Sequence, residues 1–498
     1  MKLNRRKLVK NSFIALILAM VVIGASYCFA QVKAQNDSKA SSFQYMRKIN
    51  SVFDFVQQNY VDEIDPVVLY EGALKGMFEA LGDPYSVYLD SDYMRDLTDT
   101  TEGSFGGVGL TISKPVESTP EKPAYVEVAS PLEDSPGAKA GIRAGDLIVA
   151  VEGRPTSELT MNEVLGLLRG EVGTPVTITI LRGTNMRFDV RLVRALIEVP
   201  TAKYGMIEGT KIGYVRLIEF TPETPIRFQD ALDSFEENGY KSLIIDLRDN
   251  PGGLINSVVD VADKFIDKGV IVSTKSRIAI ENMEFKASKD KTTARKNIPI
   301  VVLINKGSAS ASEILSGALK DYKMAYLVGE NTYGKGSVQQ VRQLSDTDGF
   351  KLTMARYYTP SDVNIDKIGI PPDLEITNME SLTKEQEDNY VKLVEDRVIE
   401  KLVEDNPEMT EKQIAENAKV ISNDTKIDAR IIRKIIRNQV TKYSTPLYDL
   451  DYDLQLNEAI KIVSNPDFNT LLKKTKTLKQ LQQEKEDKEL QSKTGNSK

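Results

Sequence analysis

The chain has 498 residues, 41% of them apolar, and its 65 Lys+Arg against 72 Asp+Glu leave a net charge of −7. That length suits about three domains, the apolar share suffices for packed cores, and the mild acidity gives no electrostatic footprint for nucleic acid. With no His and one Cys, Ser-His-Asp and Cys-His catalysis, His-bearing zinc sites, Cys-cluster metal sites and an intrachain disulfide are all excluded. An enzyme built from these residues draws its base from Lys, Asp, Glu, Tyr or an amine.

Lys2, Arg5, Arg6, Lys7 and Lys10 precede an uncharged stretch that is nearly all apolar from Phe13 to Ala30. This pattern predicts a signal peptide or signal anchor over residues 1–35, associated with the cytoplasmic membrane through residues 13–30, with the rest of the chain exported to the extracytoplasmic side. Cys28 follows Tyr27 rather than a small residue and reads as part of the apolar run. Residues 36–103 read as helical: Phe43, Met46, Ile49, Val52, Phe53 and Val56 recur at helical spacing, and a second helix is capped by Asp65, opened by Pro66 and closed by Gly82.

Glycines at 103, 106, 107 and 109 mark the change to a small β-rich domain over 104–195. Its strands are expected at Val108–Ile112, Tyr125–Val128, Leu147–Val151, Val176–Leu181 and Phe188–Val193, with one short helix over Met161–Leu168. From 196 to 378 strands and helices alternate. Short apolar strands at Ile212–Leu217, Leu243–Leu247, Ile300–Ile304 and Tyr326–Val328 are separated by helical patterns near 224–237, 254–267 and 311–320. Such alternation predicts an α/β core with a largely parallel sheet. Val338–Leu344 and Phe350–Tyr358 flank Asp348-Gly349, a hairpin turn, which also accounts for the acidic residues near it without a calcium loop. Asp260, Asp263 and Asp267 read as a solvated helix face. Residues 379–470 are helical, with Ile427, Ile431, Ile432, Ile435 and Ile436 on one face, and 471–498, with eight Lys and four acidic residues, read as a disordered tail.

Two segments carry chemistry. Ile300–Ile304 runs into Asn305-Lys306-Gly307-Ser308-Ala309-Ser310-Ala311-Ser312-Glu313. A strand, a tight turn and a helix start project a side chain towards free N–H groups and the positive helix end, a setting in which an oxyanion is stabilised. Ser310-x-x-Glu313 is equally an ordinary capping box, and residue chemistry alone does not choose among Ser308, Ser310 and Ser312. The second segment is Tyr333-Gly334-Lys335-Gly336-Ser337. A lysine between glycines can be walled in by backbone, and desolvation is what lowers a lysine pKa from ~10.4 towards the ~7–8 of a general base. Gln339 offers an amide to orient that amine without adding charge. With His absent, Ser with Lys is the serine-hydrolase pairing left.

Residues 305–340, together with Asp246-Leu247-Arg248-Asp249-Asn250-Pro251-Gly252-Gly253 and Gly369-Ile370-Pro371-Pro372-Asp373, closely resemble the carboxyl-terminal processing (tail-specific) proteases, over roughly residues 42–378. The resemblance implies a crotonase/Clp-like α/β core and a serine endopeptidase with nucleophile Ser310, base Lys335, supporting Gln339, and an oxyanion hole from the N–H groups of Gly253 and Ala311. It implies no cofactor and no metal. Residues 130–148, with Ser135-Pro136-Gly137 and Gly145-Asp146-Leu147, resemble a PDZ domain, for which Gly106-Gly107-Val108-Gly109-Leu110 is the carboxylate-binding loop. Gly107, Val108, Gly109 and Leu110 would hold a peptide terminus, and Met161, Val164, Leu165 and Leu168 would line the groove, some of them as core. Arg169 ends that helix, either solvated or reaching a carboxylate or the protease domain. The expected partners are envelope proteins with exposed C-terminal tails, cut near those tails once tail binding lets the dyad align. The alternatives are a non-catalytic envelope PDZ scaffold, which has no need of Ser310, Lys335 and Gln339 together, and a His-dependent PDZ protease, which the missing His excludes. Residues 380–498 read as a homo-oligomer arm or an adaptor surface, and the sequence does not choose.

Overall fold

The computed structural model describes residues 43–91, 93–94, 97, 103–115, 123–132, 135–143, 145–183, 185–198, 201–345, 347–377, 383–440 and 446–495. The apolar run 13–30 and Cys28 lie outside the described residues. Among those described, no helix is long and apolar enough to cross a membrane, and no cluster of three or more His, Cys, Asp or Glu is placed to hold a metal.

Residues up to Tyr88 form a unit of their own. Within it a helix spans 43–59, and a second, Pro66–Glu79, is capped by the Asp65 carboxylate accepting the Val67 N–H at 2.9 Å. Phe43, Met46, Ile49 and Val52, which share one helical face by spacing, are exposed.

The remainder is built on a six-stranded sheet. Its order is Ala202–Met206, Ile212–Leu217, Ser242–Asp246, Ile300–Ile304, Tyr326–Gly329 and Leu374–Glu375. The first pair is antiparallel and all later neighbours are parallel. Both faces are buried, which explains the unbroken apolar runs. Val215, Leu217, Ile245, Val302 and Ile304 point to one face, where the helices Thr224–Glu237, Ile255–Asp263 and Ala311–Asp321 pack. Tyr214, Ile244, Val301 and Leu303 point to the other, covered by Leu456, Ala459, Ile462, Val463 and Phe468. Thus the helices Leu454–Val463 and Phe468–Lys474 complete the core rather than forming a separate arm. Residues 384–440 do form a small helical bundle with its own core, including Ile399, Ile414, Ile427, Ile432 and Ile436.

A second, antiparallel sheet includes Met283–Ser288, Lys268–Ser276, Gly349–Tyr358 and Ser337–Gln343 in that spatial order. Its first hairpin, in which Met283–Ser288 alternates apolar with polar residues, is absent from the sequence-based expectation, whereas the Asp348-Gly349 turn joins the second as expected.

Two expectations need correction. Asp263 is not on a solvated face: it is buried at 2% exposure, and its carboxylate accepts the Ser288 N–H at 2.6 Å. Its neighbours Asp260 and Asp267 are half-buried, each paired with a lysine. The tail expected to be disordered forms the helix Leu478–Gly495. Thr477 and Gln480 cap its first turn reciprocally, and Leu478 with Leu481 anchors it to the core, while Glu484, Lys485, Glu486, Asp487 and Lys488 beyond are exposed.

The β-rich domain contains the five-strand path Leu110–Ser113, Val126–Pro131, Leu147–Val151, Pro175–Arg182, Met186–Val193. Its core includes Val126, Ile148, Val164, Leu168, Ile178 and Ile180. The Gly145-Asp146 turn is held by Asp146, whose buried carboxylate takes two bonds from the Arg182 guanidinium at 2.7 Å. Burial disfavours that charge, but Arg182 and the Arg143 N–H outweigh it and hold Asp146 below the usual carboxylate range.

Candidate active site

The strand Ile300–Ile304 ends in a turn that delivers three serines to the head of the Ala311–Asp321 helix. They are not equivalent. Ser308 and Ser312 are fully buried and spend their hydroxyls on the Leu247 and Asn250 carbonyls at 2.8 and 3.0 Å. Ser310 is half-buried, sits in the left-handed region at φ 53°, and makes no side-chain capping bond. A non-glycine residue in this region stores backbone strain that the surroundings must hold.

The restraint comes from Glu313, which is fully buried. Its carboxylate accepts the Ser310 N–H at 2.9 Å, the Gly334 N–H at 2.7 Å, the Lys335 N–H at 2.9 Å and the Thr332 hydroxyl at 2.5 Å. The capping-box glutamate therefore does more than cap: it ties the turn carrying Ser310 to the turn carrying Lys335. Burial pushes this carboxyl above the ordinary glutamate range, against the opposing pull of those four bonds. Thr332 in turn accepts the Ile370 N–H at 2.6 Å. The Gly369–Asp373 segment is pinned by the buried pair of Asp373 with Lys320, 2.5 Å apart. Tyr357 adds a bond from its hydroxyl to the Ser310 carbonyl at 3.2 Å.

Gln339 lies on the neighbouring strand, with its amide nitrogen donating to Ser337 at 2.9 Å and Thr353 at 3.2 Å. The two glycines after Pro251 also separate. The Gly252 N–H is taken by the Asn250 side chain at 2.9 Å. No acceptor for the N–H of Gly253 or of Ala311 occurs among the described residues. Gly252 instead supplies closeness: a Cβ there would lie 2.7 Å from the Ser310 Cβ and 2.9 Å from the Ala311 nitrogen, at a φ of +111°. Gly252→Ala is therefore expected to destabilise the fold by about 2–4 kcal/mol and to lower any Ser310-dependent activity at least about tenfold, checked by thermal melts alongside a cleavage assay.

In the β-rich domain Leu110–Ser113 is an edge strand, paired on one side by Val126–Pro131, so a peptide can add to its other side. Gly107 is buried at the end of the strand Ser104–Gly107, and Val108 and Gly109 form the buried loop between it and Leu110. It is held by the Gly137 N–H on the Val108 carbonyl at 2.8 Å and the Ser135 hydroxyl on the Gly109 carbonyl at 2.9 Å. Met161 and Leu165 share one face of the Met161–Leu168 helix, half-buried, as does Leu110 on the strand. Val164 and Leu168 are core residues, at 0% and 4% exposure. Arg169 is not a solvated helix end, because its guanidinium stacks on the Phe105 ring at 4.7 Å.

The family described as Peptidase family S41 matches residues 211–376, a PDZ domain matches 127–182, and the N-terminal domain described for the activating protease CtpB matches 19–93. A carboxy-terminal-processing protease of Bartonella bacilliformis is 39% identical over 362 residues, 72% of this chain and 81% of that one. The carboxy-terminal processing protease CtpA of Bacillus subtilis is 34% identical over 74% of this chain and 77% of its own. A solved structure of a photosystem II D1 C-terminal processing protease is 30% identical over 66% of this chain and 92% of that one, at a TM-score of 0.39. On the identity and coverage shared with the Bartonella and Bacillus enzymes, the chain belongs to the carboxy-terminal processing proteases, serine-type peptidases of family S41, and carries a PDZ domain.

Proposed function

We propose that the chain is an extracytoplasmic endopeptidase that selects envelope proteins by their C-terminal tails and cuts them with a Ser310–Lys335 dyad. The observation that carries this reading is the state of Ser310. It is the serine of its turn left half-exposed, strained in φ, adjacent to the unengaged N–H of Ala311 and packed on the Gly252-Gly253 turn.

In the proposed reaction the neutral Lys335 amine takes the Ser310 proton as Oγ bonds to the scissile carbonyl carbon. The carbonyl oxygen becomes an oxyanion facing the N–H groups of Gly253 and Ala311. The resulting ammonium gives its proton to the leaving amine as the C–N bond breaks, leaving an acyl-enzyme. Lys335 then deprotonates a water that attacks the ester, and Ser310 regains its proton. Gln339 has its amide oriented by Ser337 and Thr353, and in this reading its carbonyl end steers the amine.

Tail selection falls to Gly107, Val108, Gly109 and Leu110 as carboxylate loop and edge strand, with Met161 and Leu165 as the apolar wall and Arg169 at the groove end. Tail binding then lets the dyad align. The basic, then apolar, N-terminal segment supports export and an attachment to the cytoplasmic membrane through residues 13–30. The test uses the full chain with a fluorophosphonate probe and a denatured protein bearing an apolar C-terminal tail. Expected are one covalent adduct, mapped to Ser310 by mass spectrometry, and cleavage that weakens when the tail is amidated. Adduct formation on another residue with cleavage intact would overturn the dyad, and equal cleavage of tailed and tailless protein would overturn tail selection.

A further inference from the structure

The turn that presents Gly252 and Gly253 begins at Arg248, two residues beyond the strand Ser242–Asp246. Both glycines hold φ values, +111° and +136°, that leave the backbone little intrinsic preference. Their placement therefore depends on how the two ends of the turn are fixed. On the far side Phe220 clasps the chain, donating its N–H to Gly252 and accepting that of Leu254, both at 2.8 Å. On the near side Asn250 bonds the Leu217 carbonyl, the Gly252 N–H and the Ser312 hydroxyl, and before it the chain is anchored by the guanidinium of Arg248, a side chain only 9% exposed.

Half of that anchor is local. Asp246 accepts from Nε at 2.9 Å and from Nη2 at 2.6 Å, and Tyr214 donates to the same carboxylate at 2.7 Å. The other half comes from 205 residues away. Asp453 accepts from Nη1 at 2.7 Å and Nη2 at 2.6 Å, and the Gln455 carbonyl accepts from Nη1 at 3.0 Å. Neither acceptor is loosely placed. Asp453 caps the Leu454–Val463 helix, taking the Leu456 N–H at 2.9 Å, and the Gln455 amide donates to the Ile376 carbonyl at 2.7 Å. A guanidinium held by two bidentate carboxylates has fixed orientation as well as fixed position.

We infer that Asp453 and Gln455 are positioning residues for the oxyanion-binding turn, and that the C-terminal segment carrying them belongs to the catalytic unit. This rests on the assignment of Gly253 and Ala311 as oxyanion donors. Removing the distal half leaves Arg248 held on one side only. The Gly252-Gly253 turn then shifts by fractions of an ångström, enough to weaken stabilisation of the transition state while leaving ground-state binding in the PDZ groove untouched.

The experiment measures steady-state cleavage of a tailed fluorogenic substrate by the full chain as wild type, Asp453→Asn, Gln455→Met and Ser310→Ala, with tail binding followed separately by fluorescence anisotropy. Asp453→Asn keeps the shape but cannot accept both guanidinium bonds. It is expected to lower kcat about tenfold or more at unchanged KM and unchanged tail affinity. Gln455→Met, which removes a single bond to Arg248, is expected to lower kcat several-fold, and it decides the question if Asp453→Asn fails to fold. Wild-type kcat in the folded variant overturns the inference. So does a loss of kcat matched by equal losses in tail affinity, the mark of a merely structural role. A wild type that leaves the substrate whole, or a Ser310→Ala chain that cuts it, overturns the catalytic reading itself and the inference with it; those controls separate the two failures.

Discussion

Ser310→Ala and Lys335→Ala are each expected to reduce cleavage of a tailed substrate by about 10⁴-fold or more, with tail binding unchanged. Ser310 is the single hydroxyl of the three in its turn not committed to a carbonyl, so removing it leaves no substitute nucleophile in reach. The Lys335 backbone is fixed by the Glu313 carboxylate at 2.9 Å, and the absence of His from the whole chain leaves no imidazole to replace the amine. Because the two groups act as one unit, the double variant is expected to be no worse than either single one. Lys335→Arg is expected to be as inactive as Lys335→Ala, since a guanidinium keeps its proton at any working pH and cannot serve as a base. Quenched-fluorescence cleavage with anisotropy in parallel gives both numbers. Arg at 335 retaining activity within tenfold of wild type would exclude proton abstraction by this residue.

What could be read from the sequence follows the range of the physics involved. The parallel core was legible because its strands are buried on both faces and so read as continuous apolar runs; Ile212–Leu217 and Ile300–Ile304 fall at the expected positions. The strand–turn–helix delivering Ser310 was legible because it is contiguous. The choice among Ser308, Ser310 and Ser312 was not, because it depends on one φ angle and on which carbonyls happen to face the turn. The same holds for Gly252 and Gly253, which differ through the Asn250 side chain. Val164 and Leu168 could not be parted from Met161 and Leu165 by periodicity, since core and groove lie on adjoining faces of one short helix. Asp453 gave no local signal at all: as an Asp before a helix it is an ordinary cap, and its second role exists only because the chain returns to Arg248 after 205 residues.

Glu313→Gln is expected to lower kcat by about 10²–10³-fold although it touches neither reacting side chain. One carboxylate oxygen accepts from Thr332 and Gly334, and a glutamine carbonyl can still do that. The other accepts the N–H groups of both Ser310 and Lys335. With the amide nitrogen at this second position the Ser310 and Lys335 N–H groups face a donor and lose their common tie; with the amide reversed, the Gly334 N–H faces a donor instead, so either orientation unpairs at least one N–H of the turn that carries Lys335. Each N–H group left unpaired costs about 1–3 kcal/mol, so a lower melting temperature accompanies the loss of activity. The pH dependence separates this group from others. Burial holds the Glu313 carboxyl above the ordinary glutamate range in the folded chain. The folded state therefore keeps the proton longer than the unfolded one does, and this group's contribution to stability is full below the ordinary glutamate pKa and declines as pH rises through the folded value. Glu313→Gln removes that decline. Melting temperatures measured from pH 4 to pH 8 should fall less with rising pH in the variant than in the wild type, and parallel curves would show that Glu313 does not titrate above its ordinary range.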